Sequence, residues 1–437
     1  MLQELKYTAS QDININIEWL NSCFDKVCVF DSNEEYNDKN TLQYSKLIAV
    51  GSKEDLTLND GKNIFEKVQQ FYDARKGWLF GYVTYDVKNN IETLQSGNSD
   101  GLDFPLLHFF VPKVVLQIIS NSISAFYDND FVSKEEAEEI YRMSFSNEIE
   151  KEKQEFHGNK ILSKITKQEY IDSVNALKRH IHNGDIYEIN FCQEFFSENA
   201  KINPVDVYEK LNNISRAPFS SYCKLGNHYV ISASPERFIK RSGNKLISQP
   251  VKGTIKRSEN KEEDELLKQE LRSNEKERSE NVMIVDLVRN DLSRVAKRES
   301  VKVDELFGIY SFKQVHQMIS TISCKLKENI SFIDILKSTF PMGSMTGAPK
   351  VSAMKLIEQF ESTKRGLYSG TVGYIAPNGD FDFNVVIRSI LYNSKNNYLS
   401  FMVGSAITDK ADAEKEYEEC LLKAKAMFEV LGNDKRI

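Results

Sequence analysis

Hydrophobic and polar positions divide the chain into three zones. Residues 1 to about 127 mix strand-like and helical pieces. In this zone WLFGYVTYD (Trp78 to Asp86) and LLHFFVPKVVLQII (Leu106 to Ile119) are rich in β-branched and aromatic residues, and both are expected as buried strands. From Asp128 to about Lys164 the chain turns charged, with runs such as KEEAEE and EIEKEKQE, which predicts a solvated helix or a mobile connector. From Thr166 the pattern sharpens. Thr166 and Glu169 have the spacing of a capping box, Ile171, Val174, Leu177 and Ile181 recur at helical intervals, and Asn183-Gly184 closes the helix.

The last third reads as hairpins. GTVGYIA and DFDFNVVIRSILY flank a Pro377-Asn378-Gly379 turn, and YNSKNNYLSF supplies another turn between apolar runs. Hairpins imply antiparallel pairing. Helices such as GAPKVSAMKLIEQFE (Gly347 to Glu361) intervene, without internal repeats or regular βαβ alternation. The expected class is α+β, with large antiparallel sheets and covering helices.

Length and composition narrow the picture. A chain of 437 residues has room for two or three domains or one large composite unit. A formal net charge of -7 gives no support for a nucleic-acid-binding face. The N-terminus shows no signal-peptide pattern, and no apolar run approaches the roughly 20 residues needed to span a bilayer. Six cysteines without a CxxC argue against a zinc site or a disulfide framework and suit a reducing cytoplasm.

Several polar residues stand in apolar surroundings. Glu236 follows a strand in ISASPERF, and Lys252 lies between an apolar residue and Gly253 in SQPVKGTIKR. A lysine becomes a nucleophile when burial or a nearby cation keeps its amine neutral. Glu277 and Glu280 share one helix face, as do Glu416, Glu419 and Lys423. Two helices each offering a carboxylate suit a hard cation such as Mg2+. FPMGSMTGAPK is a glycine-rich loop opening a helix, a shape that receives anions, although it does not match the P-loop pattern. The residues alone point to a small anionic substrate, a divalent cation and a lysine nucleophile.

From residue 166 to about 430 the chain resembles the chorismate-utilising enzymes. GDIYEINFCQEF, SASPERF, QPVKGT, SENVMIVDLVRNDLSRV, VHQMISTI, FPMGSMTGAPKVSAMKLIE, RGLYSGTVGYI, FNVVIRSI and EKEYEECLLKA come in that family's order and spacing. The resemblance implies one composite fold of two large antiparallel sheets packed together with helices outside. Residues 1–150 would complete the sheets and end in the charged connector, and residues 160–432 would form the chorismate-binding catalytic region.

QPVKGT discriminates within the family. Anthranilate synthases carry alanine where this chain has Lys252, and aminodeoxychorismate synthases typically carry lysine. The resemblance therefore implies amination of chorismate at C4 through a Lys252 adduct, with Glu236 as general acid. It further implies Mg2+ on Glu280 and Glu419 with Glu277 nearby. Arg388, Tyr368 and the Gly404 backbone would grip the enolpyruvyl carboxylate, Lys423 would sit beside the ring carboxylate, and Thr254 and His316 would lie near the ring. Anthranilate synthesis and a non-catalytic chorismate-binding subunit remain as alternatives.

Two positions depart from the family pattern. Glu188 stands where glutamine is common and where water-adding relatives carry a lysine base, and Ala406 replaces the second glycine of a glycine-alanine-glycine stretch. In feedback-regulated relatives the N-terminal zone binds tryptophan, and Ser32 in VFDSNEE lies near where such a site begins. No G-x-C-x-G glutaminase motif occurs in the chain, so the resemblance implies ammonia from a separate glutamine amidotransferase subunit.

Overall fold

The computed structural model describes residues 2–8, 13–33, 44–75, 77–146 and 160–432. Two antiparallel sheets organise them, one of 12 strands and one of 10. The larger sheet has strands Lys46–Val50, Lys26–Asp31, Phe219–Leu225, His228–Ser234, Ser389–Asn393, Tyr398–Ile407 and Glu188–Ser197 side by side. The smaller runs from Val251–Lys256 through Val315–Lys325, Lys245–Gln249, Arg237–Ser242, Phe381–Asn384 and Thr371–Ile375 to Leu79–Val83. Strands from before residue 128 and strands from beyond residue 188 thus share both sheets.

The near-continuous apolar runs follow from burial on both faces. In Lys26–Asp31, Cys28 and Phe30 face the core between the sheets, whereas Val27 and Val29 face the helices outside. Leu47 and Ala49 divide from Ile48 and Val50 in the same way. Successive strand side chains point to opposite faces, so both sets must be apolar. The inner core includes Phe30 stacked on Phe80 across the sheets. The outer face of the larger sheet is covered by helices Lys167–His182, Pro204–Ser215, Lys350–Phe360 and Ala413–Val430, which contribute Val174, Leu211, Ala353 and Cys420. Under the helix Phe332–Thr339, Phe332 meets Phe109 and Phe383. Glycine at 81 and 373 makes room for these two rings, because a Cβ at either would lie 2.7 Å from a phenylalanine Cδ1.

The predicted capping box is present: Glu169 N–H donates to Thr166 Oγ1 at 3.2 Å, and Thr166 N–H donates to Glu169 Oε2 at 2.7 Å. The turn at Pro377-Asn378-Gly379 joins Thr371–Ile375 to Phe381–Asn384, with Gly379 at φ 82°. The charged stretch holds a helix, Lys134–Ser144, capped by Ser133 and burying Ala137 and Ile140. The rest of that stretch, residues 147–159, lies outside the described residues. No helix among the described residues is long and apolar enough to cross a membrane.

Two apolar runs change sheets midway. LLHFFVPKVVLQII divides at Pro112-Lys113: Leu107–Val111 joins the smaller sheet and Val114–Ile119 the larger. Pro112 has no N–H to donate to a ladder, which suits the crossing point. DFDFNVVIRSILY divides as well: Phe381–Asn384 lies in the smaller sheet and Ser389–Asn393 in the larger. Between them Arg388 takes a left-handed backbone, φ 49°. The second crossing lies at one wall of the functional cavity.

Candidate active site

A cavity of about 710 Å³ opens where the two sheets and two helices meet. Its lining includes Lys252, Glu236, Arg388, Tyr368, Gly404, Lys423, Thr254, Glu277, Glu280 and Glu419. These residues span positions 236 to 423 and come from strands, helices and connecting segments of both layers.

His316 is the exception. It is fully buried, with Nδ1 2.9 Å from Ser311 Oγ and Nε2 2.8 Å from Asp264 Oδ1, and it does not line the cavity. The next residue, Gln317, does, and its Nε2 donates to Thr254 Oγ1 at 3.4 Å. Strand alternation decides this: one residue's shift in sequence exchanges the faces. The expectation that His316 lies near the ring is therefore corrected in favour of its neighbour.

Glu236 sits in the short connection between strands His228–Ser234 and Arg237–Ser242. It is buried, its N–H donates to Ser234 Oγ at 3.2 Å, and its carboxyl accepts from Ser344 Oγ at 2.5 Å. Burial pushes its pKa up to about 7, with the Ser344 hydrogen bond and the Lys252 and Arg388 charges holding it from rising further. A carboxyl so placed holds a proton near neutrality and can deliver it.

Lys252 is buried on strand Val251–Lys256. Its Nζ lies 2.5 Å from Glu188 Oε1 and 3.9 Å from Glu280 Oε2. Burial favours the neutral amine, but the Glu188 and Glu280 carboxylates outweigh it and raise the pKa above the usual lysine value. The sequence-based condition of a neutral amine is thus not met in this state, where Lys252 is an ammonium. Beside it, Gly253 adopts φ 92°, and a Cβ there would come within 3.1 Å of Glu277 Oε2. The glycine admits the acidic helix close to the strand.

That helix, Glu275–Val295, faces the C-terminal helix Ala413–Val430 across the cavity, and both contribute carboxylates and lysines. Glu280 is buried, and its Oε1 has no hydrogen-bond partner. Burial, with Glu188 and Glu277 adding repulsion, pushes its pKa up to about 7 against the pull of Lys252 and Lys276. Glu277 is raised by burial and by Glu419. For Glu419 burial acts upward, yet Lys423 at 2.7 Å brings the net shift below the usual value. Lys276 reaches across to Glu416 at 2.9 Å. Among the described residues no three metal-ligating side chains converge tightly enough to enclose an ion by themselves. The Glu280 oxygen without a hydrogen bond, only 3.9 Å from Lys276 Nζ, and the repulsion among Glu277, Glu280 and Glu419 nevertheless suit a cation completed by water and an anionic ligand.

Arginine and tyrosine also line the cavity. Arg388 is half-buried, and among the described residues no ion pair engages its guanidinium. Burial lowers its pKa to about 10, with Glu236 opposing that fall. Tyr368 lines the cavity too, its hydroxyl accepting from Cys192 Sγ at 3.7 Å. Lys423 donates to the Gly404 carbonyl at 2.9 Å. Gly404 is spatially required, because a Cβ there would fall 2.4 Å from Cys192 Sγ and 2.9 Å from the Phe191 carbonyl oxygen. Ala406 also lines the cavity.

Sequence reasoning missed three site residues. Ser344, in the glycine-rich loop, binds the Glu236 carboxyl. Asn190 lines the cavity and donates to the Ser344 carbonyl at 3.1 Å. Lys276 bridges the two acidic helices, a role that its i,i+4 spacing to Glu280 shows only in part. Ser32 lies away from this cavity, buried, with its hydroxyl donating to the Ser45 carbonyl at 2.9 Å, and the acidic end of its motif, Glu34 and Glu35, lies outside the described residues.

Two acidic, lysine-bearing helices and a guanidinium that no ion pair engages among the described residues thus line one cavity. Residues 25–429 match the family described as chorismate binding enzyme, and the chain belongs to it. It is 34% identical over 85% of its length to anthranilate synthase component 1 of Aquifex aeolicus, covering 78% of that protein. It is 30% identical over 82% of its length to aminodeoxychorismate synthase component 1 of Bacillus subtilis, covering 77% of that protein. The crystal structure of anthranilate synthase component I from Streptococcus pneumoniae superposes with a TM-score of 0.75 at 25% identity, over 87% of this chain and 91% of that one.

Proposed function

We propose that this protein aminates chorismate at C4, as an aminodeoxychorismate synthase component 1 feeding p-aminobenzoate and folate synthesis. The observation that carries the reading is the amine of Lys252, buried in the cavity between the Glu236 carboxyl and the acidic helix. In the proposed course Nζ first sheds a proton to solvent. The nitrogen lone pair then attacks C2, both conjugated ring double bonds shift, and the C4–O bond breaks. Glu236 gives its proton to the departing hydroxyl, which leaves as water. Ammonia attacks C4, both double bonds shift back, and the C2–N bond to Lys252 breaks, leaving a free amine. The proton lost from the new ammonium restores Glu236. A covalent adduct divides one allylic substitution into two and directs nitrogen to C4.

Arg388 and Tyr368 would bind the enolpyruvyl carboxylate, Arg388 through its planar fork. Glu280 and Glu419, with Glu277 beside them, would hold Mg2+, which when bound neutralises the ring carboxylate against the acidic end of the pocket. Thr254, Gln317 and Lys423 would line the ring. Ammonia would come from a glutamine amidotransferase partner, a reading supported by the component names of the relatives.

Anthranilate synthesis is the second reading, favoured by the Aquifex aeolicus match, which covers 85% of this chain. Product identity decides between them. The pure chain is incubated with chorismate, Mg2+ and excess ammonium, and a 4-amino-4-deoxychorismate lyase is added. Chain- and Mg2+-dependent p-aminobenzoate supports C4 amination, and fluorescent anthranilate forming without the lyase overturns it. Chorismate binding with no product at all would point to a non-catalytic subunit.

A further inference from the structure

Glu188 is buried, yet it does not line the cavity. It stands on strand Glu188–Ser197 of the larger sheet, whereas its partner Lys252 stands on strand Val251–Lys256 of the smaller. The contact at 2.5 Å therefore joins the two sheets.

The backbone at 188 is held firmly. Glu188 pairs with Ala348 and Ile189 with Gly347, the short strand of the glycine-rich loop. Tyr187 N–H donates to the Ala348 carbonyl at 2.7 Å. Gly347 lies so close that a Cβ there would stand 2.2 Å from the Glu188 carbonyl oxygen. The same loop supplies Ser344 to Glu236. One loop thus fixes both the Glu236 carboxyl and the backbone that carries the carboxylate paired with Lys252.

Lysine has a flexible four-carbon stem and does not by itself hold its amine at one point. Among the described residues the other carboxylate within 4 Å of Nζ is Glu280, at 3.9 Å on the acidic helix. Without Glu188 the amine would swing toward that helix and onto a carboxylate proposed for the cation.

We propose that Glu188 is a positioning residue: from the facing sheet its carboxylate holds the Lys252 amine at a fixed point and keeps it off Glu280. This rests on the reading of Lys252 as the nucleophile, and it adds the residue that aims it.

The test compares the wild type with Glu188→Ala, with Glu188→Met, which keeps the volume without an acceptor, and with Glu188→Gln, which keeps an acceptor oxygen. Both aminated products are quantified with chorismate, Mg2+ and ammonium. The Ala and Met variants should lose about tenfold to a hundredfold in kcat, the scale expected for about an ångström of misplacement. Their chorismate KM should change little, the share of 2-amino product should rise, and Glu188→Gln should recover most of the loss. Wild-type kcat and product ratio in the Ala or Met variant would overturn the inference, as would equal impairment in all three with an unchanged ratio.

A second readout does not depend on the reaction. Acetylation of Lys252 by acetic anhydride, followed by mass spectrometry relative to Lys423, should speed up in the Ala and Met variants as the amine is released. An unchanged relative rate overturns the positioning role. A wild type that makes only 2-amino product would instead overturn the proposed function, leaving the labelling result to judge Glu188.

Discussion

Two side chains in the cavity have measurable consequences by themselves. Arg388 offers a guanidinium that no ion pair engages among the described residues. A charge-assisted hydrogen bond contributes about 1.5–3 kcal/mol, so Arg388→Ala should raise the chorismate KM or Kd by about tenfold to a hundredfold. Steady-state kinetics or calorimetric titration would show it, and an unchanged constant would remove Arg388 from the binding scheme. Glu236 has its pKa pushed up to about 7 by burial. A general acid works in its protonated form, and that form declines as pH rises through the pKa. kcat/KM for chorismate, expressed per concentration of free ammonia, should therefore fall above about pH 7, by about tenfold per unit on the limb. Glu236→Gln should abolish that limb and cost about 10²- to 10⁴-fold in rate. Persistence of the limb in the variant would assign it to another group.

At the scale of elements, the strand Tyr398–Ile407 approaches Glu188–Ser197 closely only because position 404 lacks a side chain. Gly404→Ala would press a methyl group into Cys192 and the Phe191 carbonyl, and overpacking of that kind costs about 1–3 kcal/mol. A lower Tm with raised chorismate KM is expected, and a wild-type melt would mean that the strands part without cost. The helix Lys167–His182 starts at a reciprocal cap, and Thr166→Ala should lower stability by about 1 kcal/mol in denaturant titration while leaving catalysis unchanged. Such local features were legible from the chain alone. The capping box, the Asn378-Gly379 turn and the shared faces of Glu277 with Glu280 and of Glu416 with Glu419 depend on neighbours within a few residues. The sheet changes at Pro112 and at Arg388 were not legible, because a strand carries the same alternating or apolar pattern in either sheet.

For the whole molecule, the interleaving of early and late strands sets what can fold alone. Leu79–Val83 pairs with Thr371–Ile375, and Lys26–Asp31 pairs with Phe219–Leu225. A chain starting at residue 160 would expose both pairing edges and the apolar faces of both sheets. Calorimetry on that fragment should show no cooperative transition, and a cooperative melt would demonstrate an autonomous catalytic region. In the full chain the cavity wall draws on both sheets, so a ligand that fits it stabilises the assembly as a unit. Chorismate with Mg2+ at about a hundred times Kd should add about 2.7 kcal/mol, seen as a raised Tm. At the same ligand concentration Arg388→Ala, with its Kd raised tenfold to a hundredfold, should gain only about 0.4–1.4 kcal/mol.

The amino-acid sequence alone determined the class of fold, the family and most of the cavity's residue types. These are written in short motifs whose spacing follows helix and strand periodicity. The tertiary structure decided which motifs meet. It set Glu188 against Lys252 from 64 residues away and on the other sheet, brought Ser344 to Glu236 across 108 residues, and turned His316 from the cavity toward Asp264. It also decided the charge of Lys252, which burial alone would lower and two carboxylates raise. The physical reason is common to all of these: periodicity says which face a residue takes, but the order of strands across the sheets says what stands opposite that face.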